Sequence, residues 1–110
     1  MMDCLTIGDE IALRLSDLTG CLPWAEVRRT AFDQAAMMHD VTADRVLISL
    51  GNHPSHYREP NLFADLRYVR SRITARQVLW ILPLNPEARD AIRRIASLHQ
   101  DVIVETPNAF

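Results

Sequence analysis

Arg45-Val46-Leu47-Ile48-Ser49-Leu50, followed at once by Gly51-Asn52-His53-Pro54-Ser55-His56, is the stretch on which the fold turns. Its first half is apolar almost without interruption. A strand with one wet face alternates apolar and polar residues, so a run of this kind predicts a strand covered on both faces, as in a parallel sheet between two layers of helices. Its second half, rich in Gly, Asn and Pro, predicts a turn at the end of that strand. Three more short runs share the first character: Cys4-Leu5-Thr6-Ile7, Gln77-Val78-Leu79-Trp80-Ile81-Leu82 and Val102-Ile103-Val104.

Helical spacing fills the intervals. Leu62, Leu66, Val69 and Ile73 recur at four, three and four residues, and Ala88, Ile92 and Ile95 at four and three, each set making one apolar stripe beside Arg-rich faces. The second helix is punctuated at its start. Asn85 can cap it, Pro86 suits its first position, and Glu87 complements the positive end of the helix dipole. Residues 22–39 have two readings, which stay open. Trp24, Val27, Ala31, Ala35 and Met38 fit one helix, whereas Ala25 to Thr30 fit a short edge strand before a shorter helix. Strands separated by helices, joined by right-handed crossovers, predict a three-layer α/β/α sandwich with a mostly parallel sheet of four or five strands.

At 110 residues the chain is expected to be one domain, 1–110. With 48% apolar and 24% charged residues it has the composition of a globular protein. A net charge of −2 argues against a polyanion-binding protein, so no nucleic-acid partner is expected. The 12 basic residues are all Arg. No apolar run approaches the ~18 residues of a membrane span, and the first residues lack the basic and long apolar regions of a secretion signal, so no membrane association and a cytoplasmic location are expected. Cys4 and Cys21 have neither CxxC spacing nor a disulfide framework around them, and reduced thiols are the expectation.

In an open parallel sheet, ligands bind outside the carboxyl ends of the strands, near the point where strand order reverses. Gly8-Asp9-Glu10, Gly51-Asn52-His53-Pro54-Ser55-His56 and Pro83-Leu84-Asn85 all follow predicted strands, so two acids and two histidines are expected on one rim. The same residues also make ordinary strand-to-helix turns, with Asp9 or Asn52 capping the helix that follows.

The arrangement LTIGDEIALRL, then DRVLISLGNHP, then LFADLRYVRSRITARQVLWILPLNP resembles the SGNH, or GDSL-like, hydrolase family over most of the chain. That resemblance implies a flavodoxin-like sandwich. It also implies a Gly-Asp-Ser turn carrying a nucleophile after the first strand, a Gly-x-Asn-Asp turn carrying an oxyanion-hole Asn after a later one, a further Gly between them, and a C-terminal Asp-x-x-His. The family hydrolyses acyl esters of lipids and carbohydrates. Gly8 and Asp9 match the first motif, but Glu10 stands at the serine position, and a carboxylate cannot reproduce a hydroxyl activated by an imidazole. Gly51 matches the later motif, with His53 at the Asn position unless the turn is one residue shorter and Asn52 takes it. The intermediate Gly has no clear counterpart near Arg29-Thr30-Ala31-Phe32, no Asp-x-x-His follows Val104, and His99 precedes the last strand, at the opposite end of the sheet. Thr6-Ile7-Gly8-Asp9-Glu10-Ile11 is also similar to the opening of molybdopterin-binding domains, which carry a Gly-Gly-rich anion-binding turn where this chain has Gly51-Asn52-His53.

Two functions follow from these departures. One is a catalytically degenerate SGNH-like domain that works as a binding or structural subunit, with a protein partner or a second copy of itself, and with an acyl ester or carbohydrate as possible ligand. Its candidate partner surface is the Arg-rich helix face of Arg67, Arg70, Arg89 and Arg93, with Trp24, Tyr57 or Phe110 as aromatic anchors. The other is an atypical esterase or metal-assisted hydrolase in which Asp9, Glu10 and His53 act on a water, with His53 and His56 as candidate metal ligands. No cofactor is expected in either.

Overall fold

The computed structural model describes residues 2–8, 10–24, 40–50 and 62–105. Five strands and three helices alternate through them: β1 (Met2–Gly8), α1 (Glu10–Thr19), β2 (Leu22–Trp24), β3 (Val41–Ser49), α2 (Leu62–Ser71), β4 (Ile73–Ile81), α3 (Pro86–His99) and β5 (Val102–Val104). All four strand pairings are parallel, in the order β2-β1-β3-β4-β5. The chain therefore steps one way from β1 to β2 and the other way from β3 through β4 to β5. Right-handed crossovers then place α1 on one face of the sheet and α2 and α3 on the other, which makes the α/β/α sandwich.

The larger core lies under α2 and α3. Leu66 and Val69 of α2 and Ile92 and Ile95 of α3 close over Ile7, Val46, Ile48, Val78 and Trp80, all buried. Ala12 of α1 is buried outside this cluster, with Thr6, Leu47 and Ile81 on the strands. Both faces of β3 are thus covered over its second half, from Val46 through Leu50, as its unbroken apolar run predicts. The amino-terminal halves of β3 and β4 differ: Thr42, Arg45, Thr74, Arg76 and Gln77 are exposed there.

Helix α3 starts as expected. Asn85 Oδ1 accepts from the Ala88 amide at 2.9 Å, and Pro86 takes the first helical position. It ends with Gln100 in the left-handed region (φ 59°) while the Asp101 amide donates to Ala96 O at 2.8 Å, the 6→1 bond of a Schellman stop. One expectation needs correction. Ile73 does not extend the helix of Leu62, Leu66 and Val69; α2 stops at Ser71, one residue turns, and Ile73 opens β4 opposite Val41. Its spacing of four from Val69 is a coincidence of a buried strand residue following a tight turn. In the open segment a short strand is present at Leu22–Trp24, and the two readings of the residues after it, including an edge strand over Ala25 to Thr30, lie outside the described part. Pro23 cannot donate to a ladder, and it is tolerated because β2 is an edge strand with one neighbour.

The expectation of reduced thiols is also overturned. Cys4 and Cys21 form a disulfide, with Cα atoms 4.7 Å apart. The cause is register: Leu5 pairs with Leu22, an offset of 17 residues, and the two cysteines are separated by the same 17. They therefore stand side by side, Cys4 in β1 and Cys21 at the residue before β2. The turn between α1 and β2 is tied down around them. The Ser16 hydroxyl donates to Cys21 O, the Thr19 hydroxyl accepts from the Cys21 amide at 3.3 Å, and Gly20 (φ 78°) donates to Ser16 O at 2.9 Å. Among the described residues no helix is long and apolar enough to cross a membrane.

Candidate functional site

The strand order reverses between β1 and β3, so the crevice expected to hold a ligand opens at the carboxyl ends of these two strands. There Gly8 pairs with Ser49. Gly8 has a φ of 135°, and a Cβ on it would lie 1.9 Å from the Ser49 carbonyl oxygen. Only glycine fits. The Gly of the Gly-Asp-Glu turn is thus required by two strands meeting at the reversal point, whatever chemistry the turn carries.

From Gly8 the chain enters α1 at Glu10, with only Asp9 between. The end of β1 and the single residue after it place Glu10, the first residue of α1, next to the rim. The third turn contributes less than its sequence promises, because Asn85, the one amide side chain of Pro83-Leu84-Asn85, is spent capping α3. Leu82 donates to Val104 O at 3.0 Å and extends the β4–β5 pairing one residue past the end of β4. Ser49, on the adjoining strand, is fully buried.

Asp9, Gly51, Asn52, His53 and His56 lie outside the described residues, as do Tyr57 and Phe110. Of the expected rim, the structure therefore places Gly8 and the start of α1 at Glu10 at the reversal point, where Gly8 meets Ser49, a residue outside that expectation. His99 falls in the last turn of α3, before β5, at the amino-terminal end of the sheet. It is remote from the rim, as its position in the sequence implies. Among the described residues there is no group of three or more His, Cys, Asp or Glu placed to hold a metal ion.

The Arg-rich helix face changes meaning in three dimensions. Arg70 is turned inward: Nε and Nη2 donate to the two carboxylate oxygens of Asp101 at 2.7 and 3.0 Å, and Nη1 donates to Ile73 O at 3.1 Å. The same carboxylate accepts from Trp80 Nε1 at 2.9 Å, and its side chain is only 3% exposed. Arg93 and Arg89 both reach Glu105 Oε1, at 2.6 and 3.3 Å, and Arg89 also donates to Pro83 O. Three of the four arginines are therefore used within the fold. Arg67 is exposed on α2, and Arg94 stacks over the Phe63 ring at 4.5 Å. Asp101 and Glu105 were not among the acids near these arginines in sequence. Their role depends on β5 returning beside β4, which no local pattern announces.

No family model matches the chain, and neither a curated protein nor a solved structure matches it significantly.

Proposed function

We propose that this chain is a catalytically degenerate relative of the SGNH hydrolases that serves as a binding or assembly subunit, with a protein partner or a second copy of itself. The observation that carries the reading is at the end of β1. Glu10 is the first residue of α1, directly at the rim, in the position where the Gly-Asp-Ser motif has its nucleophile. A carboxylate in that position cannot supply the attacking hydroxyl. The placement of His99 at the far end of the sheet agrees with this, because from there it does not reach the rim to serve as base. The doubly wound order supports the family reading at the level of fold, which many unrelated functions share.

The test is hydrolysis of short-chain aryl esters by the full chain, beside Glu10→Ala and His53→Ala, with and without added divalent metal, together with sedimentation of the same preparation. Rates equal to buffer, with association into a defined oligomer or with a partner, are expected. Turnover by the wild type that either substitution abolishes overturns the proposal in favour of an atypical hydrolase built on Asp9, Glu10 and His53.

A further inference from the structure

A row of side chains crosses the sheet near the middle of its strands, four residues before the carboxyl ends that form the rim. Cys4 pairs with Arg45, and Arg45 with Gln77, while the disulfide sets Cys21 on the other side of Cys4. Residues paired in register share a face, so Cys4, Arg45 and Gln77 form one line across β1, β3 and β4, which the disulfide extends to Cys21, the residue before β2. Arg45 and Gln77 are exposed and joined by Arg45 Nε donating to Gln77 Oε1 at 3.0 Å. Above them is a shallow cavity of about 420 Å³ lined by Cys4, Asp44, Arg45, Arg76 and Gln77. The disulfide thus sits at the wall of a cleft rather than within the core.

The two sulfurs are not equivalent. Cys21 is buried, whereas Cys4 is half-buried and lines the cleft. The charges are also unbalanced. Arg76 approaches Asp44 at 3.7 Å, but the bond of Arg45 goes to a neutral amide, so among the described residues two guanidiniums stand against one carboxylate around the opening. Such a cleft concentrates anions near Cys4.

We propose that the Cys4–Cys21 disulfide is a thiol-exchange site for a small anionic thiol, entered through this cleft, and that its opening unties the edge strand β2. The incoming thiolate attacks Cys4 Sγ. A bond forms between the two sulfurs, the Cys4–Cys21 bond breaks, and the electron pair leaves on Cys21 Sγ, which takes a proton from solvent. A second thiolate then attacks the mixed disulfide at the small-molecule sulfur and releases Cys4 as a thiolate. Two thiols are oxidised to one small disulfide while the protein gains two thiols. What is released is small: β2 has three residues and, among the described residues, one neighbouring strand, and Leu22 is already exposed.

The test uses the full oxidised chain with reduced glutathione as the anionic probe and cysteamine as the cationic one. Reactions are quenched with acid and mapped by peptide mass. Titration of the denatured, unreduced chain is expected to find no free thiol, and two free thiols would overturn the proposal at once. The first adduct is expected on Cys4. Arg45→Gln is expected to slow glutathione about three- to tenfold, the lower range of electrostatic steering, without slowing cysteamine. Arg76→Gln, at a second exposed position, is expected to act in the same direction and guards against a folding defect in the first variant. Failure of glutathione to react, an adduct on Cys21, or variants that leave the glutathione rate unchanged or alter both thiols by one factor would overturn it. None of these outcomes depends on whether the rim hydrolyses esters.

Discussion

The two edges of the sheet are secured by different chemistry. At the β5 edge, a bidentate Arg70–Asp101 pair with the Trp80 indole joins the end of α2, the end of β4 and the approach to β5, almost out of water. At the β2 edge, a covalent bond joins β1 to the residue before β2, beside a cleft open to solvent. Both devices hold a strand of only three residues, too short to secure itself by ladder hydrogen bonds. One holds through charges whose removal singly is costly, and the other through a bond that a reductant can remove without touching any side chain but its own. An edge made of buried charge is permanent on the protein's timescale. An edge made of accessible sulfur is conditional.

Asp101→Ala should break the first edge and show the largest effect. It leaves the Arg70 guanidinium buried without its counter-ion and the Trp80 N–H without its acceptor, a loss of about 3–5 kcal/mol by the usual cost of splitting a buried pair. Urea unfolding measures it; a change below about 1 kcal/mol, the ordinary value of an exposed pair, would show that water reaches the cluster. Replacing Cys4 and Cys21 together by Ala should break the second edge for about 3 kcal/mol, the chain-entropy value for a loop of this length. Added reductant should lower the midpoint of the wild type and leave that of the double variant alone. Equal midpoints for wild type and variant under oxidising conditions would mean the bond contributes nothing to holding β2. Asn85→Ala sharpens the comparison, because it loosens α3 at the end away from Asp101 and should cost only about 1 kcal/mol, the usual value of an N-cap. A larger loss would tie the start of α3 to the β5 edge cooperatively.

How far each edge could be read from sequence differs for the same reason. β3 and β4 were legible because burial on both faces writes a continuous apolar run, and α3 because Asn85, Pro86 and Glu87 are a local start signal. β2 was not legible in place: Leu22-Pro23-Trp24 is too short for a periodic pattern, contains a proline, and is a strand only because β1 lies beside it. Ile73 was misread because a helical stripe and a following buried strand residue can share a spacing of four. The disulfide depends on a register offset, and the Arg70–Asp101 pair spans 31 residues, so neither is a property of any window of sequence. Of the candidate site, Gly8 and Glu10 fell where the turn after the first strand was expected, at the reversal of strand order, because strand ends and helix starts are locally determined.

The disulfide also alters the chain as a path. β1 is central in the sheet yet first in sequence, and its pairing with β3 waits for Arg45, 41 residues beyond Cys4. Once the sulfurs are joined, the shorter route to Arg45 starts at Cys21 and is 24 residues long. With closure entropy growing as the logarithm of length, that shortcut lowers the cost of bringing β1 to β3 by about 0.5 kcal/mol, or roughly twofold in the probability of the encounter. Oxidation before folding therefore gives the central strand a nearer meeting point with its partner, and the same bond that secures the edge of the finished sheet helps its middle to assemble.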